Sequence, residues 1–139
     1  MRARFFVAPL GVLLVLLIAS RSATAVEQAP RTTRQQVYTA AQAGRGEALY
    51  KELCLSCHPV ETYTGNVFLT WQGRSLAELL EFLQEKMPKN DPGSLTDEEY
   101  AEVIAYLLRL NAMPVGAAPL PAEVKALRLI RIDIAPKQP

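Results

Sequence analysis

Hydrophobic positions recur at helical spacing in three places along the chain. Leu49, Leu53 and Cys57, with Tyr50 and Cys54 beside them, follow an i, i+4, i+8 rhythm that predicts a first helix within residues 46–57. Pro59 ends it, because its ring removes a backbone donor and holds His58 in extended geometry. Leu76, Leu79, Leu80, Leu83 and Met87 form a second stripe. Ser75 precedes that stripe with Glu78 three residues on, a capping-box pair, and Pro88 stops it. Thr96 and Glu99 make another such pair before Tyr100, Val103, Ile104, Leu107 and Leu108, which predicts a third helix over residues 97–110.

The intervening stretches lack a period. Residues 59–74 set Tyr63, Phe68 and Trp71 among Gly65, Asn66 and Gly73, a loop whose aromatics are either plain core or the walls of a pocket. Residues 88–95 have turn composition. Beyond Asn111, Pro114, Pro119 and Pro121 impose an extended path, and Ile130, Ile132 and Ile134 alternate with Arg131 and Asp133. That alternation predicts an extended tail, residues 117–139, packed on the surface. No internal repeat is visible. Three short helices with long loops make a poor apolar core by themselves, so a bound group is expected to fill the centre.

The N-terminus reads as a targeting peptide. Arg2 and Arg4 precede an uncharged apolar stretch, residues 5–19, and Ala23-Thr24-Ala25 offers small residues for cleavage. A retained membrane anchor is the competing reading, but that stretch is short of the roughly 20 apolar residues a spanning helix needs. Residues 1–25 are therefore assigned to an export signal, which places the protein in the periplasm or another exported compartment. Residues 26–43 are read as a lead-in, polar and flexible at its start, and residues 44–116 as the folded domain.

Composition narrows the function. The chain has 139 residues, half of them hydrophobic, and 15 Lys+Arg against 14 Asp+Glu. Without a basic surplus there is no electrostatic footprint for nucleic acid, and half-apolar content argues against disorder. Two cysteines cannot build a four-thiolate zinc site or a disulfide framework.

What chemistry remains lies in Cys54-Leu55-Ser56-Cys57-His58, the pattern for c-type haem attachment. Two thiols three residues apart can add to the two vinyl groups of one haem, while the adjacent imidazole swings under the iron. His58 is the chain's single histidine. A redox dithiol also uses this spacing, but normally within a strand and helix alternation that is missing here. A structural disulfide is the other competitor, and a metal site would need further ligands.

With His58 on one side of the iron, the other side has no second histidine to take it. Met87, at a helix end before Pro88, is the favoured sulfur ligand, and Met113, also before a proline, is the reserve. Met87 could instead simply close the core stripe. Sulfur ligation fills both axial positions and leaves one-electron transfer as the chemistry; an open position would make a ligand-binding or sensor haem protein.

Residues 38–116 resemble the class I c-type cytochromes. Gly46 and Tyr50 look like the small residue and aromatic of that family's N-terminal helix, and Tyr106 looks like their partner on its C-terminal helix. The resemblance implies an all-α fold, with three main helices around one covalent haem c and the first and last helices crossing at the glycine. It implies His58 as proximal and Met87 as distal ligand, and an electron carrier rather than an enzyme. Pro59 departs from the family, in which glycine often follows the haem histidine.

A narrower likeness runs from Met87-Pro88 through Asp91-Pro92-Gly93-Ser94-Leu95-Thr96-Asp97-Glu98-Glu99-Tyr100 to Asn111-Ala112-Met113-Pro114. It is similar to cytochromes that accompany quinoprotein alcohol dehydrogenases, which use pyrroloquinoline quinone. This implies redox protein partners: such a dehydrogenase as donor, and a terminal oxidase or another cytochrome as acceptor. Arg74 is a candidate for a haem propionate, and Glu78, Glu81, Glu85, Glu98, Glu99 and Glu102 for solvated helix faces.

Overall fold

The computed structural model describes residues 30–64 and 66–134; the export-signal reading of residues 1–25 lies outside them. Helix α1 spans Ala40–Leu53, α2 Asn66–Leu69, α3 Leu76–Lys86, α4 Asp97–Leu110 and α5 Val124–Leu127. Two short strands, β1 (Arg31–Thr32) and β2 (Ile130–Arg131), pair in parallel. The fold is all-α in its architecture, as expected.

Helices α3 and α4 begin and end where the caps and prolines placed them. Ser75 and Thr96 each accept from the backbone N–H three residues on, and Glu78 and Glu99 reach back to the cap's own N–H. Helix α1 differs from expectation. It starts at Ala40, capped by the Thr39 hydroxyl, and ends at Leu53, so the Cys54-to-His58 segment is a turn beyond the helix. Its buried face is Gln42, Ala43, Gly46 and Tyr50; Leu49 and Leu53 are on a different face, and Cys57 lies beyond the helix. Residues 59–74 are also more ordered than a plain loop, since Val60–Tyr63 forms a 3-10 turn ahead of α2.

Helices α1 and α4 cross at Gly46. A Cβ placed there would lie 1.8 Å from the carbonyl oxygen of Glu102, so the backbones touch without a side chain between them. Tyr50 and Tyr106 pack beside the crossing with ring centroids 5.2 Å apart. Arg45 pairs with Glu102 and Arg109 with Glu47 across the same helix pair. Glu102 is thus a partner in the crossing and not a free solvated side chain.

The lead-in and the tail correct the sequence reading most. Arg31 N–H donates to the Leu129 carbonyl (2.8 Å), and Thr33 is fully buried, its hydroxyl accepting from Asp133 N–H (2.9 Å). Tyr38 is buried too, and its hydroxyl donates to the Met113 carbonyl at 2.7 Å. Gln42 clamps Leu120, donating to its carbonyl (2.9 Å) and accepting from its N–H (2.8 Å). Leu127, Ile130 and Ile132 are buried, so the alternation in the tail marks a core-facing edge and not a surface strap. Each such side chain contributes roughly 1.5–3 kcal/mol of burial. The lead-in and tail together fill the side of the core that the helices alone leave short.

The capping box of α3 has a pH signature. Hydrogen bonds from the Ser75 N–H and hydroxyl, with the Arg74 guanidinium beside them, hold the Glu78 carboxyl down at about 2, against an ordinary value of 4.5. A depressed carboxyl contributes stability that is present above its unfolded value and is lost as pH falls toward the folded one. Between about pH 4.5 and 2 the wild-type protein should therefore lose stability more steeply than Glu78→Gln. Denaturant titrations of both across that window check this; parallel curves would refute it.

Candidate haem site

On the other side of the core the packing leaves a cavity of about 430 Å³. Cys54, Cys57, His58 and Met87 all line it. The walls are largely apolar: Leu53 from α1, Leu83 from α3, and Val103 and Leu107 from α4. Pro88, Lys89, Asn90 and Leu95 close it from the turn that follows α3. An apolar pocket of this size with a few convergent polar groups is what a prosthetic group needs.

The motif is presented by a tight turn. Cys57 N–H (3.1 Å) and His58 N–H (2.9 Å) both donate to the Cys54 carbonyl, folding the segment back on itself. The Tyr50 hydroxyl, carried on the buried face of α1, donates to the His58 carbonyl at 2.6 Å. Burial pushes the Tyr50 phenol well above its ordinary range, so it remains a donor. Tyr63 sets its ring 5.5 Å from the imidazole, and its carbonyl accepts from the Asn111 amide at 2.7 Å.

Cys54 is half-buried and Cys57 exposed, and no disulfide joins them. Burial pushes the Cys54 thiol up. A redox dithiol needs a lowered value at its attacking cysteine, which Cys54 does not offer. Among the described residues no group of three or more His, Cys, Asp or Glu side chains could hold a metal ion. Two thiols, one imidazole and one thioether around a single apolar cavity do suit a covalently held haem.

Met87 caps the end of α3, its N–H donating to the Leu83 carbonyl at 2.8 Å. Met113, the reserve, lies elsewhere: it is buried, and its sulfur accepts from the Thr33 hydroxyl at 3.5 Å. Tyr63 lines the cavity, but Phe68 and Trp71 do not. Trp71 instead packs edge-on against Phe82, with the Arg74 guanidinium 4.5 Å above its ring. Arg74 also pairs with Glu78, so the propionate role read from the sequence is not where the structure puts it.

Tyr50, Tyr100 and Asn111 are the site residues that sequence reasoning missed. Both tyrosines occupy apolar stripes, where the ring explains the position and conceals the hydroxyl. Asn111 sits at the C-cap of α4, which a helix-end reading already accounts for.

Residues 41–107 match the family model described as cytochrome C oxidase, cbb3-type, subunit III. Neither the curated proteins nor the solved structures gave a significant match to the chain. The matched span contains all but the first residue of α1, then α2, α3, most of α4, the Cys54-to-His58 motif and Met87. This part of the chain is thus similar to a cytochrome c domain, a haem-based electron-transfer module, and Cys54, Cys57 and His58 have the spacing for covalent attachment of haem c.

Proposed function

We propose that the protein is an exported single-electron carrier whose haem iron is held by His58 on one side and Met87 on the other. The observation that carries this is the shared cavity: the motif lines it from the end of α1, and Met87 lines it from the end of α3. When bound, the haem supplies a reversible one-electron couple. The chain's own residues do the rest. Apolar side chains from α1, α3 and α4 keep water from the centre, and Tyr50 fixes the backbone of His58.

A soft thioether opposite an imidazole favours the reduced state over a two-imidazole site and leaves no open position for substrate. The partners would be redox proteins meeting it through small, wet, short-lived contacts. A quinoprotein dehydrogenase remains the donor class that the Met87-to-Tyr100 likeness favours. An oxidase on the acceptor side agrees with the name of the matched family. The apolar stretch before Ala25 supports export. Among the described residues no helix is long and apolar enough to cross a membrane.

The test is spectroscopic. Met87→Ala is expected to abolish the sulfur-to-ferric-iron charge-transfer band in the far red, and Met113→Ala to retain it. The reverse pattern would exchange the assignments. Rapid binding of carbon monoxide by the unmutated ferrous protein would favour the alternative of an open, ligand-binding haem.

A further inference from the structure

Tyr100 stands in the first turn of α4, buried to 2 % exposure, and its hydroxyl is shared between two points of the turn that carries Met87. It donates to the Met87 carbonyl at 2.7 Å and accepts from the Gly93 N–H at 3.1 Å. Gly93 has φ +78°, a left-handed conformation that aims its N–H inward at little steric cost. One phenol thus closes a turn of seven residues, and it does so from α4, the helix whose backbone touches α1 at Gly46.

The motif side is built alike. Tyr50 of α1 donates to the His58 carbonyl, so each helix of the crossing pair sends one buried hydroxyl to the main chain of one axial candidate. Their needs differ, however. His58 is tied to its neighbours by the two turn bonds to the Cys54 carbonyl and adjoins the thioether attachment points. Met87 sits where α3 ends, and thioether sulfur is a weak ligand, so its retention depends on how firmly that turn is held.

We propose that Tyr100 is a positioning residue for the distal side: it sets how readily the Met87 turn swings away and lets an external ligand reach the iron. This rests on the reading of Met87 as axial ligand. Without the hydroxyl, the Met87 carbonyl and Gly93 N–H lose a shared partner, and opening the turn no longer breaks those two bonds. Their loss stabilises the open form relative to the closed one. The apparent affinity for a competing ligand rises with the open fraction.

Imidazole titration of the ferric holoprotein, followed optically, tests both levels. Met87→Ala should bind imidazole at least tenfold more tightly than wild type; an unchanged affinity would overturn the ligand assignment itself. Given that gain, Tyr100→Phe should bind imidazole about fivefold more tightly than wild type. In the Met87→Ala background, Tyr100→Phe should change the affinity less than twofold, because no sulfur is left to displace. No change in the first background, or equal changes in both, would overturn the positioning role, since a general loss of stability acts alike with and without Met87. Should Tyr100→Phe not fold, hydrogen exchange on the unmutated holoprotein decides. The Gly93 amide is expected to be protected and to lose at least tenfold of that protection under saturating imidazole; unchanged protection would refute the proposal.

Discussion

Gly46→Ala should destabilise the protein while Gly44→Ala, two residues earlier in the same helix, should stabilise it. At Gly44 the added methyl meets nothing within 4 Å, so the change acts through helix propensity and contributes up to about 1 kcal/mol. At Gly46 the methyl would lie 1.8 Å from the Glu102 carbonyl oxygen and 2.4 Å from its carbon. Both are backbone atoms of α4, so no rotamer change relieves the clash and the helices must move apart. Overpacking of this kind costs roughly 3 kcal/mol, which the same propensity gain of about 1 kcal/mol offsets only in part. A net loss of about 2 kcal/mol lowers Tm by roughly 10 °C in a domain of this size. Thermal unfolding of the two variants measures the contrast, and two shifts of the same sign would refute the crossing geometry.

The second large effect concerns cofactor retention. Replacing both thiols, as in Cys54→Ser with Cys57→Ser, should leave no haem on the polypeptide after denaturation, while either single variant keeps one thioether. Mass spectrometry of material from a host competent in cytochrome maturation reads this directly. The wild type must carry the haem mass and the double variant the bare polypeptide mass. Wild-type material at the bare mass would sink the attachment chemistry. The double variant should also lose fixed tertiary structure. Keeping a cavity of about 430 Å³ dry and unfilled would cost on the order of 10 kcal/mol. That is comparable with the whole stability of an ordinary domain, so collapse or flooding of the site is expected, seen as loss of near-ultraviolet circular dichroism.

How much of this was legible beforehand depended on the range of the interaction concerned. Ser75 with Glu78 and Thr96 with Glu99 are bonds between residues three apart, and they set the starts of α3 and α4 correctly. Pro88 likewise ended α3 on time. The Thr39 cap of α1 was missed because the stripe chosen to find the helix, Leu49, Leu53 and Cys57, was not its packing face. Leu53 and Cys57 look into the cavity, while Ala43 and Gly46 pack in the protein interior and buried Tyr50 lies at the boundary, lining the cavity as well. A sequence shows that a helix has apolar residues on two sides; it does not show which side meets protein and which meets cofactor.

The lead-in and tail were misjudged for a related reason. Two-residue strands have no period to detect, and the pairing of Arg31 with Ile130 spans nearly the whole domain. Trp71 and Arg74 were drawn toward the haem by their chemistry alone, and packing gave them to Phe82 and Glu78 instead.

By itself the sequence determined the attachment motif and the two capped helices, because each is written in residues close together; the crossing at Gly46 was implied by the resemblance to class I cytochromes. Only the tertiary structure decided that Met87 lines the motif's cavity and Met113 packs against Thr33. It alone also showed that the Tyr50 and Tyr100 hydroxyls hold the main chain of His58 and Met87. Those contacts join different elements, at separations from 8 residues for Tyr50 and His58 to 80 for Thr33 and Met113, and no helical spacing encodes which hydroxyl will find which carbonyl once the helices have crossed.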